Sequence, residues 1–333
     1  MRRAPPLALL LLAGCDTVQS AAGNDGREAA LTSELFLIFL AVAVAVYAIV
    51  LLFLAAAVLR RGGRRQDGAP DDGVSREGGL GKLLVAWAAG SALILVALTV
   101  STWVYDRRLT QAADVPPLEI EIIARQWWWD VRYLDRRADR IFRTANELHL
   151  PVGVPVRITL KSSDVIHSFW VPNLAGKQDL IPGRVSQIML HPLRIGSYRG
   201  QCAEFCGLQH ARMALDVTVE SPSAFARWSA RQLQPAAAPT TPQARAGLAI
   251  VTGRQCASCH MIAGTSASAQ VAPDLTHFAS RRSIAAGTLP MRRDAIRAWV
   301  RDPQVAKPGN NMPIVRLSEA ELDSVTAYLE TLR

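Results

Sequence analysis

The residues able to do chemistry are concentrated in two short stretches. Gln201 to Met213, QCAEFCGLQHARM, packs two cysteines, a histidine, a methionine and a glutamate into thirteen residues, and a lone His167 stands upstream. Thiolate and thioether are soft donors with imidazole as their usual companion, a combination that selects copper over hard cations. A Cys2His2 zinc site would leave Met213 without a role, because methionine is not among the usual zinc ligands. The second stretch is Cys256, Ala257, Ser258, Cys259, His260. That spacing ties haem to protein through two thioethers, with His260 as the proximal iron ligand.

The second cysteine of the first stretch decides what kind of copper centre it makes. A mononuclear blue site needs two histidines, one cysteine and a weak axial methionine, so one of Cys202 and Cys206 would be surplus. Two thiolates can instead bridge two copper ions, each capped by one of His167 and His210, with Met213 and a backbone carbonyl as weak outer ligands. Sharing one electron over two metals and two sulfurs spreads the charge change and makes a fast relay. A Cys202–Cys206 disulfide is the competing reading in an exported chain, and it leaves His167, His210 and Met213 unexplained. Thioredoxin and zinc readings compete for Cys256 and Cys259, but no second CxxC and no strand-helix redox context accompanies them. The sixth haem ligand is expected from Met312, because Asn311 and Pro313 around it resemble the axial-methionine loop of small cytochromes c; Met291 is the alternative. A thioether trans to histidine raises the haem potential and suits electron transfer over oxygen binding.

Elements to hold these residues are legible along the chain. Residues 1–14 read as an export signal with a basic head at Arg2 and Arg3 and an apolar centre at Leu7 to Leu12. Its LAGC ending resembles a bacterial lipoprotein signal and would leave Cys15 lipidated; an ordinary cleavage site beside an incidental cysteine is the alternative. After an exported segment, 15–34, the apolar runs 35–59 and 83–105 exceed the ~20 residues needed to cross a bilayer core. They form a hairpin whose loop, 60–82, carries Arg60, Arg61, Arg64, Arg65, Arg76 and Lys82 and so lies in the cytoplasm. Everything after Asp106 is then outside. Residues 115–221 alternate short Val, Ile, Leu, Trp and Tyr runs with PVGVP, PNLAG, IPGR and HPLRIG, the spacing of an antiparallel all-β sandwich, with the copper ligands in connections between strands. A stiff Pro/Ala linker at 234–242 reaches roughly 3 Å per residue where it is extended. It leads to a small all-α domain, 243–333, with a helix from Thr241 to Val251 ended by Gly253 and a capping box at Ser318 and Glu321.

Composition is consistent with this order. The 333 residues carry a formal charge of +9 and are half apolar, which suits a membrane-attached, multidomain protein. The arginines are intermixed with acids and form no single basic face, so no nucleic acid partner is expected. Five cysteines are accounted for as Cys15 to lipid, Cys202 and Cys206 to copper, and Cys256 and Cys259 to haem, which leaves none for a structural disulfide.

Taken together, the hairpin, the sandwich, HSFW at His167 to Trp170, QCAEFCGLQHARM and the CxxCH domain resemble subunit II of the haem-copper cytochrome c oxidases fused to a cytochrome c. The resemblance covers nearly the whole mature chain. It implies a multidomain membrane protein: a two-helix transmembrane hairpin, a cupredoxin-like copper A domain and an all-α cytochrome c domain. It further implies a dinuclear copper A centre on His167, Cys202, Cys206, His210 and Met213, with Glu204 coordinating through its backbone carbonyl. The Glu204 carboxylate would turn to a magnesium ion at the subunit I interface. Gln126 to Trp129 resembles the family's aromatic cluster, usually Gln-Trp-Tyr-Trp, so Trp127 would pass electrons toward copper while Trp128 stands where tyrosine is common. The family's preceding Gly-His is Ala124-Arg125 here, which alters the docking surface. Lys177, Asp179, Pro182, Gly183 and Arg184 match a family loop near the subunit I contact. The glutamate often found three residues before the second helix's tryptophan is replaced by Leu84 ahead of Trp87.

The function this resemblance implies is an electron relay in a bacterial plasma (inner) membrane, with copper and haem domains on the periplasmic side. An upstream donor, cytochrome c or a respiratory complex, reduces haem c; the electron moves to copper A; subunit I, assembled with other oxidase subunits, reduces oxygen to water. A copper A subunit of a nitric oxide reductase is the close alternative. A membrane-anchored copper-delivery protein is the distant one, and it has no need of haem c or an aromatic cluster. Both exported domains are net positive, so the linker and not mutual charge attraction is expected to dock them, by effective concentration.

Overall fold

Two long apolar helices open the described chain: α1 (Arg27–Arg64) and α2 (Glu77–Leu109). The structure, a computed structural model, describes residues 18–64, 77–110 and 116–333, so the expected signal segment and lipidated Cys15 lie outside the described residues. Within α1 and α2, Arg27–Arg60 and Gly79–Leu109 are long and apolar enough to cross a membrane. Leu52, Phe53, Trp87 and Leu93 are all exposed, so the helices present an apolar surface suited to lipid tails. The helices outrun the expected apolar runs at both ends. Tyr105 donates its hydroxyl to Glu34 at 3.2 Å, which ties the start of the first span to the end of the second.

Leu31–Ala112 form one unit, and the remainder of the described chain forms another. The latter begins as a β-sandwich. Its strands are β1 (Leu118–Arg125), β2 (Trp128–Leu134), β3 (Phe142–Ala145), β4 (Glu147–Pro151), β5 (Val156–Ser162), β6 (His167–Trp170), β7 (Gln178–Leu180), β8 (Ser186–Leu190), β9 (Gly196–Cys202) and β10 (Ala214–Glu220). One sheet runs β3-β2-β1-β5-β8 and the other β4-β10-β9-β6-β7. Alternation in β1 sends Ile120, Ile122 and Ala124 inward, where they meet Trp129, Leu148, Leu160 and Phe169 between the sheets. The fold is the expected sandwich, with two departures from the expected detail. The sheets are mixed, since β1 pairs with β5 and β10 with β4 in parallel; the chain crosses to the second sheet at β4 before returning to lie beside β1. His167 begins strand β6 and does not sit in a connection, which makes it a more rigid support.

A helix unforeseen in the sequence follows, α3 (Pro222–Gln232), capped by the Ser221 hydroxyl, which accepts from the Ala224 N–H at 3.2 Å. Its Trp228 completes the sandwich core and stacks on His149 with ring centroids 4.1 Å apart. The Pro/Ala stretch after it is fixed to the next domain, not a free spacer: Ala236 N–H donates to Ala263 O at 2.9 Å and His277 Nε2–H to Gln234 O at 3.1 Å. The α-domain holds α4 (Pro242–Gly253), α5 (Cys256–Cys259), a small ribbon of β11 (Ser283–Ile284) and β12 (Leu289–Pro290), then α6 (Arg293–Arg301), α7 (Pro303–Ala306) and α8 (Glu319–Leu329). Thr241 caps α4, and Ser318 with Glu321 forms the expected capping box on α8. Val251, Ile262, Leu322, Val325, Tyr328 and Leu329 make the core that α4 and α8 share.

Candidate metal and haem centres

The stretch expected to hold copper leaves β9 at Cys202 and re-enters β10 just after Met213, and its two ends are clamped together. Cys202 N–H donates to Met213 O at 3.0 Å, and Gln201 opposes Ala214 across the β9–β10 ladder. Within this frame the soft donors converge. Cys202 Sγ lies 3.7 Å from Cys206 Sγ and 3.8 Å from His167 Nδ1. Cys206 Sγ lies 3.7 Å from His210 Nδ1 and 3.9 Å from Met213 Sδ. Glu204 O sits 3.2 Å from Cys202 Sγ. Each sulfur therefore has its own imidazole, and the two sulfurs are too far apart for a disulfide, whose bond is about 2.05 Å.

The electrostatics fit a soft cation pair. The contact between the two sulfurs favours a single shared proton: it holds one thiol, Cys202, well below its usual range and the other, Cys206, well above it. Buried thiolates this close repel, so both lose their protons only against positive charge between them. His167 is buried, and its Nε2 bonds Asp164 Oδ1 at 2.8 Å. A carboxylate only accepts, so Nε2 carries the proton and Nδ1 keeps its lone pair on the sulfur side. Asp164 was invisible to motif reasoning, although an acid three residues before a ligand histidine is a signal that could have found it. The Glu204 carboxylate is exposed and lies 3.9 Å from Lys177 Nζ.

The three adjacent tryptophans have three different surroundings. Trp129 is fully buried beside His167, with ring centroids 6.3 Å apart. Trp128 lies under the Arg125 and Arg143 guanidiniums, 5.7 and 5.9 Å from its ring. Trp127 is buried, and its indole N–H donates to Cys206 O at 2.8 Å, where Gln126 Nε2 donates as well. Gly207, at φ +108°, makes this approach possible: a Cβ there would lie 3.2 Å from the Trp127 ring.

A cavity of about 330 Å³ lies between the sandwich and the α-domain. Cys259, His260 and Met312 line one side, and Arg125, Trp127 and Trp128 line the other. Cys256 is half-buried one helical turn before Cys259, and Met291 packs against the helical core. His260 Nδ1–H donates to Pro273 O at 2.7 Å, which leaves Nε2 unprotonated, and burial keeps the imidazole neutral by lowering its pKa. Met312 sits on a braced loop: its N–H donates to Asn310 Oδ1 at 2.8 Å, and its carbonyl accepts from Gln304 Nε2 at 3.2 Å. Two cysteines one turn apart, a tautomer-fixed histidine and a facing thioether are a donor set that suits covalently attached haem.

Comparison with known proteins agrees with both halves. Residues 134–220 match the family "Cytochrome C oxidase subunit II, periplasmic domain" and residues 244–333 match "Cytochrome c". The cytochrome c oxidase subunit 2 of Alkalihalophilus pseudofirmus is 31% identical over 258 residues, covering 75% of this chain and 73% of that one. Its counterpart in Bacillus sp. PS3 is 30% identical over 290 residues, covering 81% and 80% respectively. Among solved structures, the periplasmic domain of subunit II of cytochrome oxidase from Bradyrhizobium japonicum covers 37% of this chain and 95% of its own, at 30% identity and a TM-score of 0.34.

Proposed function

Because this chain belongs to the cytochrome c oxidase subunit II family and continues into a cytochrome c domain, we propose that it is the electron relay of a haem-copper oxidase in a bacterial plasma membrane. It takes electrons from an external cytochrome c or respiratory complex and hands them to subunit I, which reduces oxygen to water. One observation carries the reading. The Trp127 side chain bonds the backbone of a copper-loop cysteine and also walls the cavity that holds His260 and Met312, so one aromatic residue touches both sites.

Copper A and haem c supply the one-electron chemistry when bound. The chain's residues do the rest. His167, Cys202, Cys206, His210 and Met213, with the Glu204 carbonyl, would hold two copper ions, and Cys256, Cys259, His260 and Met312 would hold the haem. Asp164 fixes the His167 tautomer and also accepts from Gln126 N–H at 2.7 Å, which couples the ligand to the tryptophan turn. The side chains of Cys202, Cys206 and Met213 belong to the sandwich core, so these three donors are shielded from water although Phe205 and Leu208 of the same loop are exposed. A magnesium ion at the subunit I interface would draw only the Glu204 carboxylate from this chain. One exposed carboxylate beside Lys177 is no cage, and the remaining oxygens would have to come from subunit I. Two apolar helices would anchor the assembly, and acyl chains on Cys15, buried in the bilayer, would add a second anchor.

The test is the chemistry of the complex that the full chain brings down from membranes. Purified with its catalytic partner and fed a reduced one-electron donor, it is expected to consume oxygen. Turnover of nitric oxide without oxygen consumption would replace this reading with the nitric oxide reductase one, and purification without a haem-copper partner would remove both.

A further inference from the structure

Lys307 is only 3% exposed, yet among the described residues no carboxylate pairs with it. Its ammonium leaves the α-domain and enters the sandwich surface. It donates to Trp127 O and Arg212 O at 2.9 Å each, and to Ala285 O of its own domain at 3.3 Å. An ammonium has three donors, and all three are used. Burial pulls its pKa down to about 8, so it is still charged at neutral pH and still able to donate three times. A buried charge is tolerated only when fully bonded, which makes this arrangement specific to the docked pose of the two domains.

The carbonyls it selects lie at the two places that matter. The Trp127 carbonyl belongs to the tryptophan turn, and the Arg212 carbonyl belongs to the peptide just before Met213. Lys307 itself begins the loop that ends at Met312. Around it the contact is close and largely uncharged: Gln209 Nε2 donates to Pro308 O at 2.6 Å, Asn311 Nδ2 to Gln126 O at 2.9 Å, and Ala214 N–H to Ala286 O at 3.0 Å. Gly287, at φ +75°, allows it, because a Cβ there would lie 2.8 Å from Ala214 Cβ. The domains are thus joined around Lys307 by backbone carbonyls capturing side-chain and main-chain donors, and further along the interface by the Ser283–Asp216 hydrogen bond and the Arg281–Glu147 ion pair.

We propose that Lys307 is a positioning residue that locks the Met312 loop onto the copper loop and the Trp127 turn, fixing the geometry of electron transfer between the two centres. This rests on the proposed relay. In the full chain, Lys307→Met is expected to leave the haem and copper spectra unchanged while slowing internal transfer roughly tenfold or more, since small losses of registration are costly. The unaltered chain gives an independent readout. Treated with an amine-acetylating reagent, Lys161 and Lys177, whose side chains are 41% and 51% exposed, should react while Lys307 is protected. Wild-type transfer in Lys307→Met, or acetylation of Lys307 as fast as of Lys177, would overturn the proposal. If Lys307→Met fails to assemble, the acetylation result decides alone. Failure of the relay itself would look different: no internal transfer in the unaltered chain, whatever the labelling.

Discussion

A chain with Cys206→Ser is expected to retain its haem and lose the ability to pass electrons beyond it. Cys206 joins the two halves of the proposed copper site: its sulfur faces Cys202, His210 and Met213 within 3.9 Å. Serine has nearly the same shape, so the loop should still fold, and the Trp127 and Gln126 bonds to the residue 206 carbonyl do not involve the side chain. What changes is the donor, from a soft thiolate to a hydroxyl that does not ionise near neutral pH. Loss of outer partners alone typically costs 10–100-fold in metal affinity, so loss of a sulfur proposed to ligate the metal directly should cost more than about a hundredfold. Metal analysis should show copper depleted relative to haem, and oxygen consumption by the complex should fall by a similar factor. Normal copper content with normal turnover would remove Cys206 from the centre.

The second large effect is expected at the haem. Met312→Ala leaves Cys256 and Cys259 to hold the haem covalently and His260 to ligate it, and Met312 is not part of the helical core, so the domain should remain folded. Axial ligands set haem potentials over a span of about 0.8 V, and loss of a thioether should lower the potential by on the order of 0.1 V or more. The direction has a kinetic consequence. A lower haem potential favours giving an electron onward and disfavours taking one, so the step that slows is reduction by the external donor. A redox titration of the haem band decides it: an unchanged potential would move the sixth ligand to Met291, which packs against the core in this structure.

Much of this was legible because the chemistry is written in contiguous strings. QCAEFCGLQHARM and CASCH carry most of their ligands within one loop or one turn, and the apolar spans need only length. The strand runs were visible too, but their parallel pairing was not, since it depends on which sheet the chain crosses to at β4. Asp164 and Lys307 were missed for a related reason. Asp164 acts by bonding a ring nitrogen, and Lys307 acts on carbonyls as far as 180 residues away in sequence. Backbone carbonyls leave no trace in a sequence, so a charge count led to the expectation of docking by a tether. The structure instead shows the spacer fixed to the α-domain and the interface built on main-chain acceptors, with Arg281 and Glu147 3.6 Å apart as a cross-domain ion pair.

The most direct test of the relay is to reduce the haem of the intact complex with a short light pulse in the presence of an electron-donating dye, and to follow the haem and copper absorption bands together. The haem is expected to reoxidise as the copper band bleaches, in a first-order step whose rate does not change with protein concentration and changes little with salt. A haem that stays reduced, or a rate that rises with protein concentration or falls steeply with ionic strength, would contradict it.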